Sequence, residues 1–192
     1  MKKIYQMACI FVVAMFVLSG CEQRQNNEAA EAKIQCMREQ GILFVKVKSG
    51  GEAGSVEISG IDMYGNIILL EDDAWDTTRK QVSSEEELYE KLLDRMNEQL
   101  TNQTEHKQII SEKLLKKLLN LEYKELEPLN ETDMSGCDGF VCSYYLIQDL
   151  NGEKNWVEIY RNDSFGNEWG HPDDKEQVIG KEVCEIFGEE WK

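Results

Sequence analysis

The chain has 192 residues, of which 37 are acidic and 21 are basic, so its formal net charge is −16 at pH 7. This charge repels phosphate backbones and argues against a nucleic acid as a partner. Two histidines are too few for a His-rich metal site, whereas 41% hydrophobic residues suffice for one packed domain or at most two small ones.

The N-terminal residues have the pattern of an export signal. Lys2 and Lys3 supply positive charge, and residues 7–18 form an unbroken apolar run of twelve. A membrane-spanning helix needs about 20 apolar residues, whereas the apolar part of a signal peptide needs roughly 7–15. The run therefore predicts a signal peptide.

The end of this run, Leu18-Ser19-Gly20-Cys21, resembles the lipobox of bacterial lipoproteins. The resemblance implies that residues 1–20 are removed and that Cys21 becomes a lipidated N-terminus on the outer, extracytoplasmic face of the cell membrane. The alternatives are an ordinary secretory signal and a buried apolar helix. Residues 21–40 are then the lipidated cysteine and a flexible tether, and residues 41–192 are a single extracytoplasmic domain.

The first half of this domain alternates short strands and amphipathic helices. Ser83 or Ser84 opens a helix, since each has a glutamate three residues later and fits a capping box. Apolar residues four apart continue that helix to Leu100. The elements predicted in chain order are a strand meander (42–48, 55–61 and 66–70), a polar loop (71–82), this helix, and a second helix (about 105–121).

The second half starts with an irregular stretch, residues 128–136, and a strong strand over 140–148. Asn151-Gly152 predicts a hairpin turn, and the alternative of a calcium loop is disfavoured because its twelfth position is Tyr160. The remaining predicted elements are a strand (156–160), a turn region (163–170) and a last helix (172 to about 187).

Two stretches match without a gap when the chain is shifted by 101 residues, with eight of sixteen positions identical between residues 51–66 and 152–167. The match predicts an internal duplication, although any two hairpins reuse Gly, Asn and Asp. We therefore expect an α+β fold, in which one antiparallel sheet is built from two β-hairpin/helix units and the helices pack on one face.

Four cysteines remain beyond the lipobox: Cys36, Cys137, Cys142 and Cys184. An even number outside the cytoplasm predicts disulfides, with three possible connectivities, and free buried thiols are the alternative. Two groups of titratable residues adjoin tryptophans and are expected to be solvated loops, with binding of a cation or a basic peptide as the alternative: Asp72, Asp73 and Asp76 near Trp75, and His171, Asp173 and Asp174 near Trp169.

The segment Ser49-Gly50-Gly51-Glu52-Ala53-Gly54 follows a strand and resembles the Ser-Gly-Gly-Phe-Ala-Gly motif of emfourin, a small proteinaceous inhibitor of thermolysin-like metalloproteases. The resemblance implies an α+β fold and a role in binding or blocking a protease. Only Ser49, Gly50, Gly51 and Gly54 match as turn-forming residues. Glu52 stands where the family has an aromatic residue.

No nucleophile or metalloprotease motif is present in the sequence, and we expect no catalytic residue, cofactor or metal. The predicted function is that of a membrane-anchored, non-enzymatic binding lipoprotein of unknown ligand. Its partner, besides the membrane reached through Cys21, is an envelope or secreted protein that is basic or uncharged. The alternative is a tethered, emfourin-like metalloprotease inhibitor.

Overall fold

The computed structural model describes residues 31–35, 37, 39, 41–51, 54–100, 110–119, 121–122, 124–130, 139–150, 153–174 and 177–189. Residues 31–35, 37 and 39, within the predicted tether, are helical. Residues 37–192 form one compact unit. Among the described residues, no helix has the length and apolar character needed to span a membrane.

The elements confirm the α+β class. The strands are β1 (Ile42–Gly50), β2 (Ser55–Asp62), β3 (Ile67–Leu69), β4 (Glu127–Asn130), β5 (Phe140–Leu150), β6 (Glu153–Asp163) and β7 (Glu168–Gly170). Beyond the helical residues before β1, the helices are α1 (Ala74–Arg79), α2 (Glu85–Leu100), α3 (Glu112–Leu118) and α4 (Val178–Ile186).

One seven-stranded antiparallel sheet has the order β3-β2-β1-β5-β6-β7-β4. The predicted meander is confirmed as β1 to β3, and β1 pairs with β5 at the centre. The second hairpin is confirmed as well, because Leu150 pairs with Glu153 across a two-residue connection. Asp149 forms an ion pair with Lys154 at 3.1 Å in this hairpin, as expected for a turn between strands.

The sheet is apolar on both faces. In β5, Tyr144 and Leu146 belong to one buried cluster, while Ile147 belongs to a second cluster against which Tyr145 also packs. Successive side chains of a strand point to opposite faces, so the two clusters lie on opposite faces. We call these the Tyr144 face and the Tyr145 face. Residues of α3 and α4 fill the first cluster, and residues of α1 and α2 fill the second.

The prediction that the helices pack on one face is therefore wrong. The cause lies in the central strands, since a strand that is apolar on both sides must be covered on both sides. A β-bulge in β6 also affects which face its side chains occupy. The register of β5 and β6 shifts between Tyr144 and Tyr145, and this shift reverses the alternation of side chains between the two faces along β6. As a result, Val157 belongs to the buried cluster on the Tyr144 face. Its counterpart in the repeat, Val56, packs against the cluster on the Tyr145 face.

The two repeat turns nevertheless have the same geometry. The carboxylate of Asp62 accepts hydrogen bonds from the backbone N–H of Tyr64 and Asn66 at 2.8 and 2.9 Å, and from the Asn66 amide at 2.7 Å. Asp163 accepts the matching three hydrogen bonds from Phe165 and Asn167 at 2.9, 2.9 and 2.7 Å. The duplication itself stays a prediction, since the helices that follow lie on opposite faces.

Four short elements differ from the prediction. Helix α1 lies in the predicted polar loop, β4 lies in the irregular stretch, β7 lies in the predicted turn region, and α4 begins at Val178 instead of Pro172. Strands of three or four residues are too short to show periodicity, and tertiary pairing determines them. Helix α3 begins after Ser111, whose hydroxyl accepts from the Leu114 N–H at 3.0 Å, and residues 105–109 of the predicted helix lie outside the described residues.

Candidate functional site

A cavity of about 480 Å³ opens on the Tyr144 face, beyond the end of α4. Ligand sites commonly occupy about 300–1,000 Å³, so this volume suits a small molecule. Its walls come from six strands, the Asp163 turn and the segment after α4: Lys46, Lys48, Glu57, Asn130, Phe140, Cys142, Tyr160, Asn162, Asp163, Ser164, Gly166, Glu168 and Glu189.

The sequence of β1 explains where the core ends and the cavity begins. Phe44 is fully buried on the Tyr144 face, and Lys46 and Lys48 follow at a spacing of two on the same face. Across the ladder, Lys46 pairs with Tyr144 and Lys48 pairs with Cys142. The face thus changes along the strand from apolar core to polar cavity wall.

Glu189 links the C-terminal segment to this wall. It forms an ion pair with Lys46, and the hydroxyl of Tyr144 donates a hydrogen bond to its second carboxylate oxygen. Tyr144 is fully buried, and this burial raises the pKa of its phenol far above the usual value. The segment after α4 is therefore held against the central strands at one side of the cavity.

Glu168 is the most enclosed carboxylate in the wall, with 9% of its surface exposed. The hydroxyl of Tyr160 donates to one of its oxygens at 2.7 Å, and the amide of Asn130 donates to the other at 3.0 Å. Burial and the hydrogen bond to Glu168 both raise the pKa of Tyr160, so this phenol stays a proton donor. Both partners hold Glu168 in one orientation.

The rim of the cavity combines charge with an exposed ring. Lys48 forms an ion pair with Glu57 at 3.3 Å, and its ammonium lies 5.0 Å from the centre of the Phe140 ring. Phe140 is 38% exposed, so part of its ring is accessible at the rim. The rim therefore offers an apolar surface beside an already paired cation.

Of the four cysteines predicted to form disulfides, Cys36 and Cys137 lie outside the described part of the chain. Cys142 and Cys184 are buried and carry free thiols, so no bond joins them to each other. Cys142 lies in the cavity wall. Burial raises the pKa of Cys142 to about 11 and that of Cys184 to about 12.

We expect both thiols to resist alkylation in the folded protein. With a pKa of about 11, only about one Cys142 thiol in a thousand is ionised at pH 8, and the thiolate is the reactive form. Iodoacetamide labelling of Cys142 and Cys184, followed peptide by peptide by mass spectrometry, should be at least about 100-fold slower in native protein than in urea-unfolded protein. Because burial penalises the ionised thiol, the fold also loses stability as pH rises from about 9 toward 11. Equal labelling rates in the two states would contradict the burial.

The first acidic group is solvated as predicted, but the second is not. Asp72, Asp73 and Asp76 are exposed at the start of α1. His171 and Asp174, in contrast, are 3% and 5% exposed, which corrects the expectation of a solvated loop. They are buried because they complete the backbone hydrogen bonding of neighbouring segments.

Asp174 joins two helices. Its carboxylate accepts from the backbone N–H of Val178 and Ile179 at 3.1 and 2.5 Å, which caps α4, and it pairs with Lys117 of α3 at 2.9 Å. His171 Nε2 lies 2.9 Å from the Glu122 carbonyl oxygen. These contacts give both side chains a structural role.

The glycine motif forms the turn between β1 and β2. Gly50, Gly51 and Gly54 have φ of 119°, 82° and 61°, and Ser49 pairs with Val56 one step before the ladder ends at Gly50 and Ser55. The N–H of Gly51 donates to the Gly139 carbonyl at 3.2 Å, so the turn is anchored beside the cavity. Glu52, Ala53 and the predicted lipidation site Cys21 lie outside the described residues.

Sequence reasoning missed the cavity residues Lys46, Glu168 and Glu189. The one available signal was the pair Lys46 and Lys48 in alternate positions of an otherwise apolar strand, which marks a polar patch on one face. Glu168 and Glu189 have no such signal, because their burial results from pairing with β4 and β6 and from the path of the chain after α4.

No family model matches this chain, and neither a curated protein nor a solved structure matches it. Two resemblances therefore rest on the residues themselves, that of the Ser49–Gly54 segment to emfourin and that of residues 18–21 to the lipobox. What each of them implies stays a prediction.

Proposed function

We propose that the protein is an extracytoplasmic lipoprotein, held at the membrane by Cys21, whose body binds a small ligand without transforming it. The cavity carries the proposal. Its volume is that of a ligand site, and its polar side chains are fixed by one another before any ligand arrives. Such preorganised walls reduce the entropy lost on binding.

The titratable groups of the cavity support binding over catalysis. A nucleophilic cysteine needs a lowered pKa, and a general acid or base needs a pKa near the working pH. Cys142 and Tyr160 are shifted the other way, toward permanently protonated forms. Lys46 is engaged by Glu189, and Lys48 by Glu57.

Replacing Cys21 by serine tests the anchor. We expect the protein of the native host to move from the membrane fraction to the soluble extracytoplasmic fraction, because each buried lipid CH₂ contributes about 0.8 kcal/mol and the variant has none. Intact-mass analysis of the unsubstituted protein should show residues 1–20 removed and acyl chains added. An uncleaved chain with a bare Cys21 thiol would overturn the anchor.

Binding is tested by thermal unfolding of the full chain in mild detergent. A ligand that binds only the folded state raises Tm, and at 100 times its Kd it adds about 2.7 kcal/mol. We expect the low-molecular-mass fraction of the host's envelope extract to raise Tm. Absence of any shift across fractions of that extract would contradict a small-molecule ligand.

The exposed glycine turn favours a second candidate, a tethered inhibitor of a thermolysin-like metalloprotease. Gly51 and Gly54 are exposed, the N–H of Gly51 donates to the Gly139 carbonyl, and the N–H of Gly54 donates to the Gly51 carbonyl. An exposed backbone segment that is held by hydrogen bonds at its ends loses less entropy when it binds a protease. Full activity of a thermolysin-class enzyme in a micromolar excess of the chain would exclude this role for that class.

A further inference from the structure

The charges of the cavity wall are unevenly compensated. The wall contains two lysines and four carboxylates. Each lysine is paired, Lys46 with Glu189 and Lys48 with Glu57. Two carboxylates, those of Asp163 and Glu168, are left over, and the oxygens of Asp163 are used within its own turn.

Glu168 is therefore the group that distinguishes this cavity. It is 91% buried, and within the described part of the chain its partners are the uncharged Tyr160 hydroxyl and Asn130 amide. A carboxylate has about four acceptor positions, of which these donors fill two. A buried carboxylate is costly unless a positive charge compensates it, so Glu168 favours a cation in the cavity.

The remaining walls suit an apolar stem attached to that cation. Phe140 presents a partly exposed ring at the rim, and Cys142 contributes a protonated, weakly polar thiol deeper in the wall. The net charge of −16 further raises the local concentration of cations around the protein. An inorganic ion would leave most of the 480 Å³ unfilled.

We infer that the cavity binds a small organic cation, a guanidinium or primary ammonium group on a short aliphatic chain, with Glu168 as its counter-ion. This inference rests on the proposed binding function and specifies its ligand class. The cation donates to the free acceptor positions of Glu168, and the aliphatic part lies against Phe140.

Isothermal titration calorimetry of the full chain in mild detergent tests the inference with three probes of similar shape: butylguanidinium, the uncharged butylurea and the anionic pentanoate. Charge-assisted hydrogen bonds are roughly twice as strong as neutral ones, so we expect butylguanidinium to bind at least about tenfold more tightly than butylurea. Pentanoate should bind least. This comparison needs no variant and so does not depend on any substituted chain folding.

The variant Glu168→Gln then tests whether Glu168 is the counter-ion of the bound cation. It keeps the shape and an acceptor for Tyr160, and we expect it to bind butylguanidinium no better than butylurea. The matched control Asp72→Asn makes the same change in net charge at an exposed position outside the cavity, and should keep the preference within about twofold.

Two results would overturn the inference. One is equal or tighter binding of butylurea or pentanoate, or no binding of any probe. The other is a folded Glu168→Gln variant that keeps the preference for butylguanidinium. The proposed function is judged separately, since a Tm increase with envelope extract combined with failure of butylguanidinium would retain a ligand site of different chemistry.

Discussion

Replacing Gly50 by alanine should destabilise the protein by about 3 kcal/mol, because two independent effects act at this residue. Its φ of 119° lies in a region that essentially only glycine adopts. A Cβ atom there would also lie 2.5 Å from the carbonyl oxygen of Gly139, which is backbone and cannot rotate away. Urea denaturation followed by tryptophan fluorescence measures the change.

The same turn provides the control. Gly54 has a φ of 61°, and a Cβ atom added there would have open space within 4 Å, so Gly54→Ala meets only the left-handed backbone cost of roughly 1 kcal/mol. If the two variants lose equal stability, the close approach of Gly50 to Gly139 is not a constraint. A larger loss of stability for Gly50→Ala would show that the close packing of the β1–β2 turn against Gly139, which precedes β5, constrains residue 50.

Replacing Asp174 by alanine should lower the free energy of unfolding by about 3 kcal/mol. The substitution removes two hydrogen bonds that cap α4 and leaves the partly buried ammonium of Lys117 without this ion pair. Because α3 and α4 both contribute to the Tyr144-face core, the loss should appear as a lower midpoint of a single urea transition.

Two further variants separate the causes. Asp174→Asn keeps one acceptor oxygen, which can serve the N–H of Val178 or that of Ile179, and removes the charge, so its loss should lie between zero and that of alanine. Asp173→Ala, next in the chain, disrupts an exposed pair with Lys124 at 2.7 Å and should cost less than about 1 kcal/mol. If Asp173→Ala lowers the free energy of unfolding as much as Asp174→Ala does, the buried contacts of Asp174 are not what stabilises this region.

The sheet was largely predictable because its strands carry local signals. The apolar runs at 42–48 and 140–148, the glycine turn and the Asn151-Gly152 hairpin all specify structure within a few residues. The covering of both faces was not predicted, because the consecutive apolar residues of β1 and β5 that require it do not specify which helix reaches which face.

The candidate site was much less predictable than the sheet. Glu57, Glu168 and Glu189 are separated by long stretches of sequence, and Glu168 becomes buried because β7 pairs with β4 and β6. The acidic residues that do cluster in sequence, Asp72, Asp73 and Asp76, are exposed instead. Proximity in sequence therefore does not indicate which carboxylates line the cavity, because burial of a charge depends on partners that tertiary structure supplies.

The pairing of β1 with β5 has a consequence for how the chain folds. Phe44 and Leu146 are neighbours in the ladder, so a loop of about a hundred residues must close before the centre of the sheet can form. Pairings between distant residues slow folding, whereas the two hairpins can each form locally. Until β5 arrives, the edge of β1 is open to strands of other molecules, and the charges of Lys46 and Lys48 oppose such aggregation.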